Sequence, residues 1–477
     1  MKLKPSSFFL ALIMLLGVVV PHSILQAQDS PDSGLKPVKY IFLFIGDGMS
    51  SPQRQMTEEY QKTKNQPGLL MNSFSVKSST TTQSANSLIT DSAASGTAIA
   101  CGEKTNNGRI GMDASAERKL ESSAFVAKKA GKKVGIITSV TLNHATPASF
   151  YGHQDSRSAY YALGLDLIAS GFDYFGGGGI DSADKEKDPL YKGNIYELAE
   201  KAEYKVVHDP EAILDLTPAD GKVIACQKKG ALPYAINCKG NEEKADNVLT
   251  LDQYVRKGIE MLDNPNGFFL MTEGGKIDWV GHANDAPSVV KETIALDKAV
   301  QVAVEFAQKH PDQTLIVVTG DHETGGLTLG FAGTGYKLYY DRLECQTRSR
   351  DVFRDQLEQL IKSRNKKLSF DDCKPLITES FGLTFDADSD PMAVSAEELK
   401  LFQEAFNKDK AKKDKKGTAL ALAIFKCFDQ KVGLGWTTGG HSALPVITSA
   451  VGVNADFFKG NLDNTDIAKK LKLIIQQ

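Results

Sequence analysis

The sequence predicts an α/β protein: a doubly wound, mostly parallel central sheet flanked by helices, with a helical insertion near the active-site end. Three observations point there. Apolar β-rich runs recur along the chain, and each runs straight into a polar loop. Segments with helical spacing lie between them, so strand and helix alternate. Two long stretches, from about 164 to 251 and from about 330 to 434, break the alternation and read as additions to it.

The 477-residue chain begins "MKLKPSSFFLALIMLLGVVVPHSILQAQDS", with Lys2 and Lys4, an apolar run from Phe8 to Val20 and a small residue at Ala27. That pattern predicts a signal peptide over 1–27, cleaved after Ala27, then a linker over 28–36 and one domain over 37–477. The apolar run is too short for a membrane anchor, since a spanning helix needs about 20 residues. No Cys follows it to carry a lipid. The expectation is an exported protein, periplasmic or extracellular, with no membrane attachment after cleavage. Losing Lys2 and Lys4 takes the formal charge from -3 to -5, which gives no reason to expect nucleic acid. The basic run "KDKAKKDKKG" at 408–417 is interleaved with acids, lacks aromatics and reads as solvated.

The strands come in order. "PVKYIFLFIGDGMS", "KKVGIITSVTLNHATP", "NGFFLMTEGGKID" and "QTLIVVTGDHETGG" read as buried parallel strands, and "LPVITSAVGVNA" supplies another near the end. From Pro287 onward, Val289, Leu296, Val300, Ala303 and Ala307 mark one face of an amphipathic helix. The stretch 164–251, with its cluster "FGGGGID", reads as extra loops and helices. In 330–434, "SAEELKLFQEAF" has Ser395 at an N-cap and Glu398 at the capping-box position, which predicts a helical insertion over one end of the sheet. Six cysteines in an exported chain suit disulfides, and "CQKKGALPYAINC" suggests a hairpin closed by Cys226 and Cys238. Unbonded, buried cysteines are the alternative.

In an open parallel sheet the ligand site lies beyond the carboxyl ends of the strands. That rule collects Asp47, the segment His144 to Thr146, Glu273 and the pair Asp321 and His322. One strand-end Asp is usually a turn former. Four polar strand ends carrying carboxylates and imidazoles point further, because clustered anions repel unless cations neutralise them. In "EGGKIDWVGHAND", Asp278 and His282 are four apart and share a helix face, and their oxygen and nitrogen donors suit zinc. The pair alone could be an ordinary polar helix face. His441, in the glycine-rich "GWTTGGHSALP", can complete a three-ligand set.

Arg157, in "HATPASFYGHQDSR", is an ordinary surface arginine unless the ligand is an oxyanion, which its planar guanidinium can grip by two oxygens. The stretch "TDSAASGTAIACG" supplies that ligand. Its small residues let a helix N-terminus approach an anion, and Ser92, in the first turn behind Asp91, is the hydroxyl placed for exposure there. No Gly-x-Ser-x-Gly elbow surrounds Ser92, so a metal ion is the candidate activator. Two metals and a clamp fit in-line phosphoryl transfer.

The ordered set "FIGDGM", "TDSAASGTA", "KTNNGRIGMD", "HATPA", "EGGKIDWVGHAND", "TGDHETGG" and "TTGGH" resembles the alkaline phosphatases, secreted metal-dependent phosphomonoesterases. The resemblance spans nearly all of the mature chain. It implies that Ser92 is a nucleophile that becomes transiently phosphorylated and that Arg157 clamps the non-bridging oxygens. It implies a first zinc on Asp278, His282 and His441, and a second on Asp47, Ser92, Asp321 and His322. A third site, on Asp47, Thr146 and Glu273, is usually magnesium in this family, with Asp47 bridging two metals. Asp91, His144 and Trp279 would contact substrate or support the ligands. His144 stands where some members have Asp, and Trp279 where some have Lys or His, so zinc in the third site is an alternative. Trp279 serves packing at the cleft rim or touches substrate.

The resemblance further implies small-molecule phosphate monoesters as substrates, a homodimer and no specific nucleic-acid partner. Phosphodiesterase or sulfatase activity on the same fold is the competing enzyme reading, against which Arg157 favours a monoester. A scavenger of phosphate or metal with a defunct site is opposed by the intact set of nucleophile, clamp and ligands.

Overall fold

Tyr40–Gly46, the first predicted strand, is buried at all seven positions, which is why its sequence is a continuous apolar run and does not alternate. The computed structural model describes residues 34–238, 248–364, 368–385, 390–411 and 417–477. The proposed signal peptide and most of the linker lie outside these residues.

The strands in chain order are β1 (Tyr40–Gly46), β2 (Val76–Thr81), β3 (Lys133–Thr138), β4 (Tyr174–Gly177), β5 (Tyr204–Val207), β6 (Lys222–Cys226) and β7 (Phe268–Glu273). They continue with β8 (Thr314–Gly320), β9 (Glu323–Thr324), β10 (Leu327–Thr328), β11 (Gly435–Trp436), β12 (His441–Ser442), β13 (Val446–Gly452) and β14 (Asn461–Asp463). Ten of them form one sheet in the order β14, β2, β13, β8, β1, β7, β3, β4, β6, β5. Within it, β13 runs against its neighbours β8 and β2 while the other pairings are parallel. The predicted sheet is therefore present.

Register determines what the strand ends can do. Ile45 pairs with Glu273, Gly46 pairs with Gly320, and Thr138 also pairs with Glu273. The carboxyl ends of β1, β3, β7 and β8 thus stop abreast, and Asp47, Glu273 and Asp321 emerge side by side. Because β13 is antiparallel, the chain enters it at that same end, which brings His441 to the cluster from the opposite chain direction.

Two expectations need correction. The stretch from about 164 to 251 is not extra loops and helices alone, because it contributes β4, β5 and β6 to the central sheet. Those strands are four or five residues long, and β4 reads "YFGG", so no long apolar run announces them. Cys226 and Cys238 do not close a hairpin. Cys226 ends the parallel strand β6, with its sulfur 3.8 Å from His208 Nδ1, while Cys238 Sγ lies 3.6 Å from the Tyr234 carbonyl. No disulfide joins any of the six cysteines.

The stretch 330–434 is helical as expected, with Arg350–Arg364, Lys374–Phe381, Ala396–Ala411 and Thr418–Val432. Ser395 Oγ accepts the Glu398 backbone N–H at 3.2 Å and Glu398 Oε2 accepts that of Ser395 at 2.8 Å, a complete capping box. The amphipathic helix predicted from Pro287 runs over Ala286–Lys309. Among the described residues, no helix is long and apolar enough to cross a membrane.

The helix Ser92–Cys101 is buried along its whole length, which only small side chains permit. A Cβ on Gly96 would lie 2.8 Å from Ser149 Oγ, so that something must shift, and 3.2 Å from Thr146 Cα, already a tight contact. Gly96→Val should therefore lower the thermal midpoint and the yield of folded protein, at a cost of about 1–3 kcal/mol or more. A circular-dichroism melt checks this, and an unchanged midpoint would contradict the packing described.

Candidate active site

The helix Ser92–Cys101 begins where the strand ends converge. Asp91 caps it, with Oδ1 accepting the Ala94 N–H at 3.0 Å, and this fixes Ser92 in the first turn. Ser92 Oγ lies 3.2 Å from His322 Nε2 and 3.5 Å from Asp47 Oδ1. Of the other hydroxyls in this stretch, Thr90 bonds to the Asp91 carbonyl and Thr97 to the backbone of Arg109 and Gly111.

Three groups of metal-ligating side chains surround Ser92, each with one donor atom per residue and all donors within 4.8 Å of one another. Asp278, His282 and His441 form the first, Asp47, Asp321 and His322 the second, and Asp47, His144 and Glu273 the third. Asp47 belongs to two of them. In the first, His282 and His441 point Nε2 atoms at Asp278 at 3.3 and 3.4 Å, and their own Nε2 atoms are 3.3 Å apart. Each ring is oriented from behind: His282 Nδ1 is 2.7 Å from the Gly439 carbonyl and His441 Nδ1 is 2.7 Å from the Thr90 carbonyl. Such backing fixes the ring and leaves Nε2 for a ligand.

In the second group His322 Nε2 lies 3.3 Å from Asp47 and 3.2 Å from Asp321, and Asp321 Oδ1 accepts the Gly48 N–H at 2.9 Å. In the third, Thr146 Oγ1 donates to Asp47 Oδ2 at 3.3 Å, and Thr138 donates to Glu273. His144 also reaches this group, so its ligating side chains are those of Asp47, His144 and Glu273, with Thr146 beside Asp47. Both His144 Nδ1 and Glu273 Oε1 are buried without hydrogen-bond partners, the condition a cation would relieve. The donor types suit divalent metals, with imidazole and carboxylate in each group.

Arg157 reaches the site through Asp91. Its Nη1 donates to Asp91 Oδ2 at 3.0 Å, and the same oxygen accepts the Gly108 N–H at 3.1 Å. Asp91 thus caps the helix and holds the guanidinium with the two oxygens of one carboxylate. Trp279 is half-buried, with its ring 5.8 Å edge-on from that of His144, so it forms part of the wall beside the third group.

The electrostatics follow from burial. Asp47, Glu273, Asp278 and Asp321 are all nearly or completely excluded from solvent. Burial, reinforced by its carboxylate neighbours, holds the Asp47 carboxyl well above its usual range. Burial also pushes Asp321 up to about 7 and Glu273 up to about 8. Asp278 goes the other way: burial alone would raise it, but the hydrogen bonds from His282 and His441 carry it well below the carboxylate range. The bond to Asp278 lifts His282 to about 9, while burial lowers His144 to about 4 and drives His322 well below its ordinary value.

Several supporting side chains lie inside the quoted segments but are given no role there. Thr324 Oγ1 lies 2.5 Å from Asp278 Oδ1 and 3.2 Å from His322 Nδ1, linking the first two groups. Ser95 Oγ donates to Asp321 Oδ2 at 3.2 Å. Glu323 is buried, accepts from Gln53 at 2.7 Å and from the Gly326 and Leu327 N–H groups at 3.0 Å, and is bonded by Ser442 beside His441. Spacing offered a partial signal for Ser95, one turn after Ser92 on the same helix. It offered none for Thr324 or Glu323.

Comparison with known proteins agrees with this geometry. The family described as Alkaline phosphatase matches residues 38–477. The chain is 30% identical over 466 residues to Alkaline phosphatase 3 of Bacillus subtilis, covering 94% of this chain and 92% of that protein. It is 27% identical to the Repressible alkaline phosphatase of Saccharomyces cerevisiae, covering 92% of this chain and 81% of the relative. Among solved structures, the cold-active alkaline phosphatase of a psychrophilic Shewanella superposes with a TM-score of 0.76 at 28% identity, over 92% of this chain and all 100% of that one. The Thermus thermophilus alkaline phosphatase has the same fold, with a TM-score of 0.74 at 23% identity over 91% and 90% of the two chains.

The shifts set a pH dependence for metal-stripped protein. Glu273, Asp321 and His282 bind their protons more tightly folded than unfolded, so the stability they contribute is lost as pH rises from their ordinary values to about 8, about 7 and about 9, and Asp47 acts in the same direction. His144 and His322 work in the opposite sense, but their contribution is complete above their unfolded value of about 6.5. After chelation the melting temperature should therefore fall between pH 7 and 9, and added divalent metal should restore it most at the high end. A melting temperature independent of pH in that window would contradict the account.

Proposed function

Because the chain belongs to the alkaline phosphatase family, we propose that it hydrolyses phosphate monoesters to an alcohol and inorganic phosphate through a phosphoserine intermediate on Ser92. The observation that carries the reading is the position of Ser92 Oγ, 3.2 Å from His322 and 3.5 Å from Asp47 at a helix N-terminus, with Arg157 held beside it on Asp91.

Zinc on Asp278, His282 and His441, zinc on Asp47, Ser92, Asp321 and His322, and magnesium or zinc on Asp47, Thr146 and Glu273 would supply positive charge for the serine oxygen, the leaving oxygen and the attacking water. His144 joins the third set, and its imidazole nitrogen favours zinc there more than an all-oxygen site would. The chain's own residues do the positioning. The N–H groups at the start of the Ser92 helix face the incoming anion, and the guanidinium of Arg157, already fixed on Asp91, offers its remaining donors to non-bridging oxygens. Ser92 Oγ then bonds to phosphorus as the ester bond to the alcohol oxygen breaks. A water oxygen next displaces Ser92, whose hydroxyl is restored as phosphate leaves.

Export, with residues 1–27 removed, and assembly as a homodimer complete the reading. The apolar run after Lys2 and Lys4 supports the first, and family resemblance supports the second.

Ser92→Ala should lower turnover of p-nitrophenyl phosphate by on the order of a thousandfold while bound metal, measured by elemental analysis, stays constant. Arg157→Ala should raise KM by about tenfold or more, with a smaller loss in kcat. Unchanged turnover in Ser92→Ala would remove that residue from the mechanism. Faster hydrolysis of diesters or sulfate esters than of monoesters would overturn the substrate class.

A further inference from the structure

The first and second ligand groups are built on different foundations. Asp47, Asp321 and His322 follow directly from the central strands β1 and β8. His282 instead ends the helix Lys276–His282, just before the turn at 283–285, and His441 opens the two-residue strand β12, just after the turn at 437–440; β12 pairs with β9 and is not part of the ten-stranded sheet. The helical stretch 330–434 fixes both turns.

It grips the first turn through Asp285, a fully buried carboxylate just after His282. Gln346 Nε2 donates to Asp285 Oδ1 at 2.7 Å, the Arg350 backbone N–H donates to Asp285 Oδ2 at 2.9 Å, and Arg350 Nη1 donates to the Ala283 carbonyl. Between these anchors Asn284 is held at φ 51°, in the left-handed region that Asn adopts more readily than most residues. Its amide nitrogen is placed to donate to the Gly281 carbonyl at 3.0 Å and the Thr438 carbonyl at 3.1 Å, which ties the first turn to the second.

The grip on the second turn is Asp429, on the helix Thr418–Val432. The buried Asp429 carboxylate accepts the Trp436 Nε1–H through Oδ2 at 2.8 Å, five residues before His441. The Trp436 ring lies flush on Gly325, where a Cβ would come within 2.4 Å of it and where φ is +95°. Gly325 donates to the Gly440 carbonyl at 2.8 Å, and its own carbonyl accepts from Thr437 and Thr438 at 3.2 Å. The indole therefore wedges the 437–440 turn against the loop that follows His322.

We infer that this helical stretch sets how tightly the Asp278, His282 and His441 group holds its cation, with Trp436 and Arg350 as positioning residues that act through the two histidine turns. The inference rests on the reading of that group as a metal site. It extends to residues that touch neither metal nor substrate. Removing either anchor should loosen the first site alone, since the second is held by sheet register.

The test is metal release from zinc-loaded holoprotein, followed with excess EDTA and a colorimetric zinc indicator. Trp436→Phe, which keeps the ring on Gly325 but loses the indole N–H, and Arg350→Ala should each release one zinc equivalent at least about tenfold faster than wild type, with the remaining metal unchanged. Asp429→Asn, which retains an oxygen to accept the indole N–H, should release like wild type. Wild-type release rates in Trp436→Phe and Arg350→Ala, acceleration of all equivalents together, or fast release in Asp429→Asn would each overturn the inference. His282→Ala separates the two readings: if it binds as much zinc as wild type, the metal site itself is misassigned. If it lacks one equivalent while Trp436→Phe behaves as wild type, only the positioning role falls.

Discussion

Four carboxylates, Asp47, Glu273, Asp278 and Asp321, are packed together out of water, and the organisation of the site follows from the need to neutralise them. Asp278 receives countercharge from His282 and His441, and its carboxyl is held low. Among the described residues the other three have no comparable cationic partner, and they are pushed toward neutrality by burial and mutual repulsion. Such a cluster is costly in a folded chain unless divalent cations occupy it, and the orphaned Glu273 Oε1 and His144 Nδ1 mark where unmet bonding capacity remains. The arrangement that weakens the empty protein is the one that concentrates positive charge around Ser92 once cations bind.

The scaffold meets this need through register. Parallel strands that end abreast deliver Asp47, Glu273 and Asp321 to one level, and one reversed strand lets a distant segment bring His441 to the same place. Small residues in the Ser92 helix then allow a hydroxyl and a helix N-terminus to approach the clustered charge, and Gly96 shows how little room remains behind it.

Much of this was legible in the sequence because its features are local. Strands β1, β3, β7 and β8 are continuous apolar runs with a polar break, Asp278 and His282 share a helix face by spacing, and the Ser395 capping box is a four-residue pattern. Strands β4, β5 and β6 were not legible, since each is four or five residues long and is held by neighbours that only the folded sheet supplies. For the same reason Cys226 read as one side of a hairpin when it in fact ends a parallel strand. Within the site, the missed residues are those whose role depends on tertiary proximity: Thr324 bridging two ligand groups and Glu323 fixing the loops. Residue type alone does not distinguish them from ordinary polar loop residues.

The central claim is that the hydroxyl of Ser92 is the atom that receives phosphate. Mixing enzyme with excess phosphate monoester, quenching with acid within the turnover time and mapping the peptides by mass spectrometry tests it most directly. The account predicts covalent phosphate on Ser92, within the peptide that contains "TDSAASGTAIACG". Phosphate on another side chain, or turnover with no covalent phosphate on the chain, would contradict it.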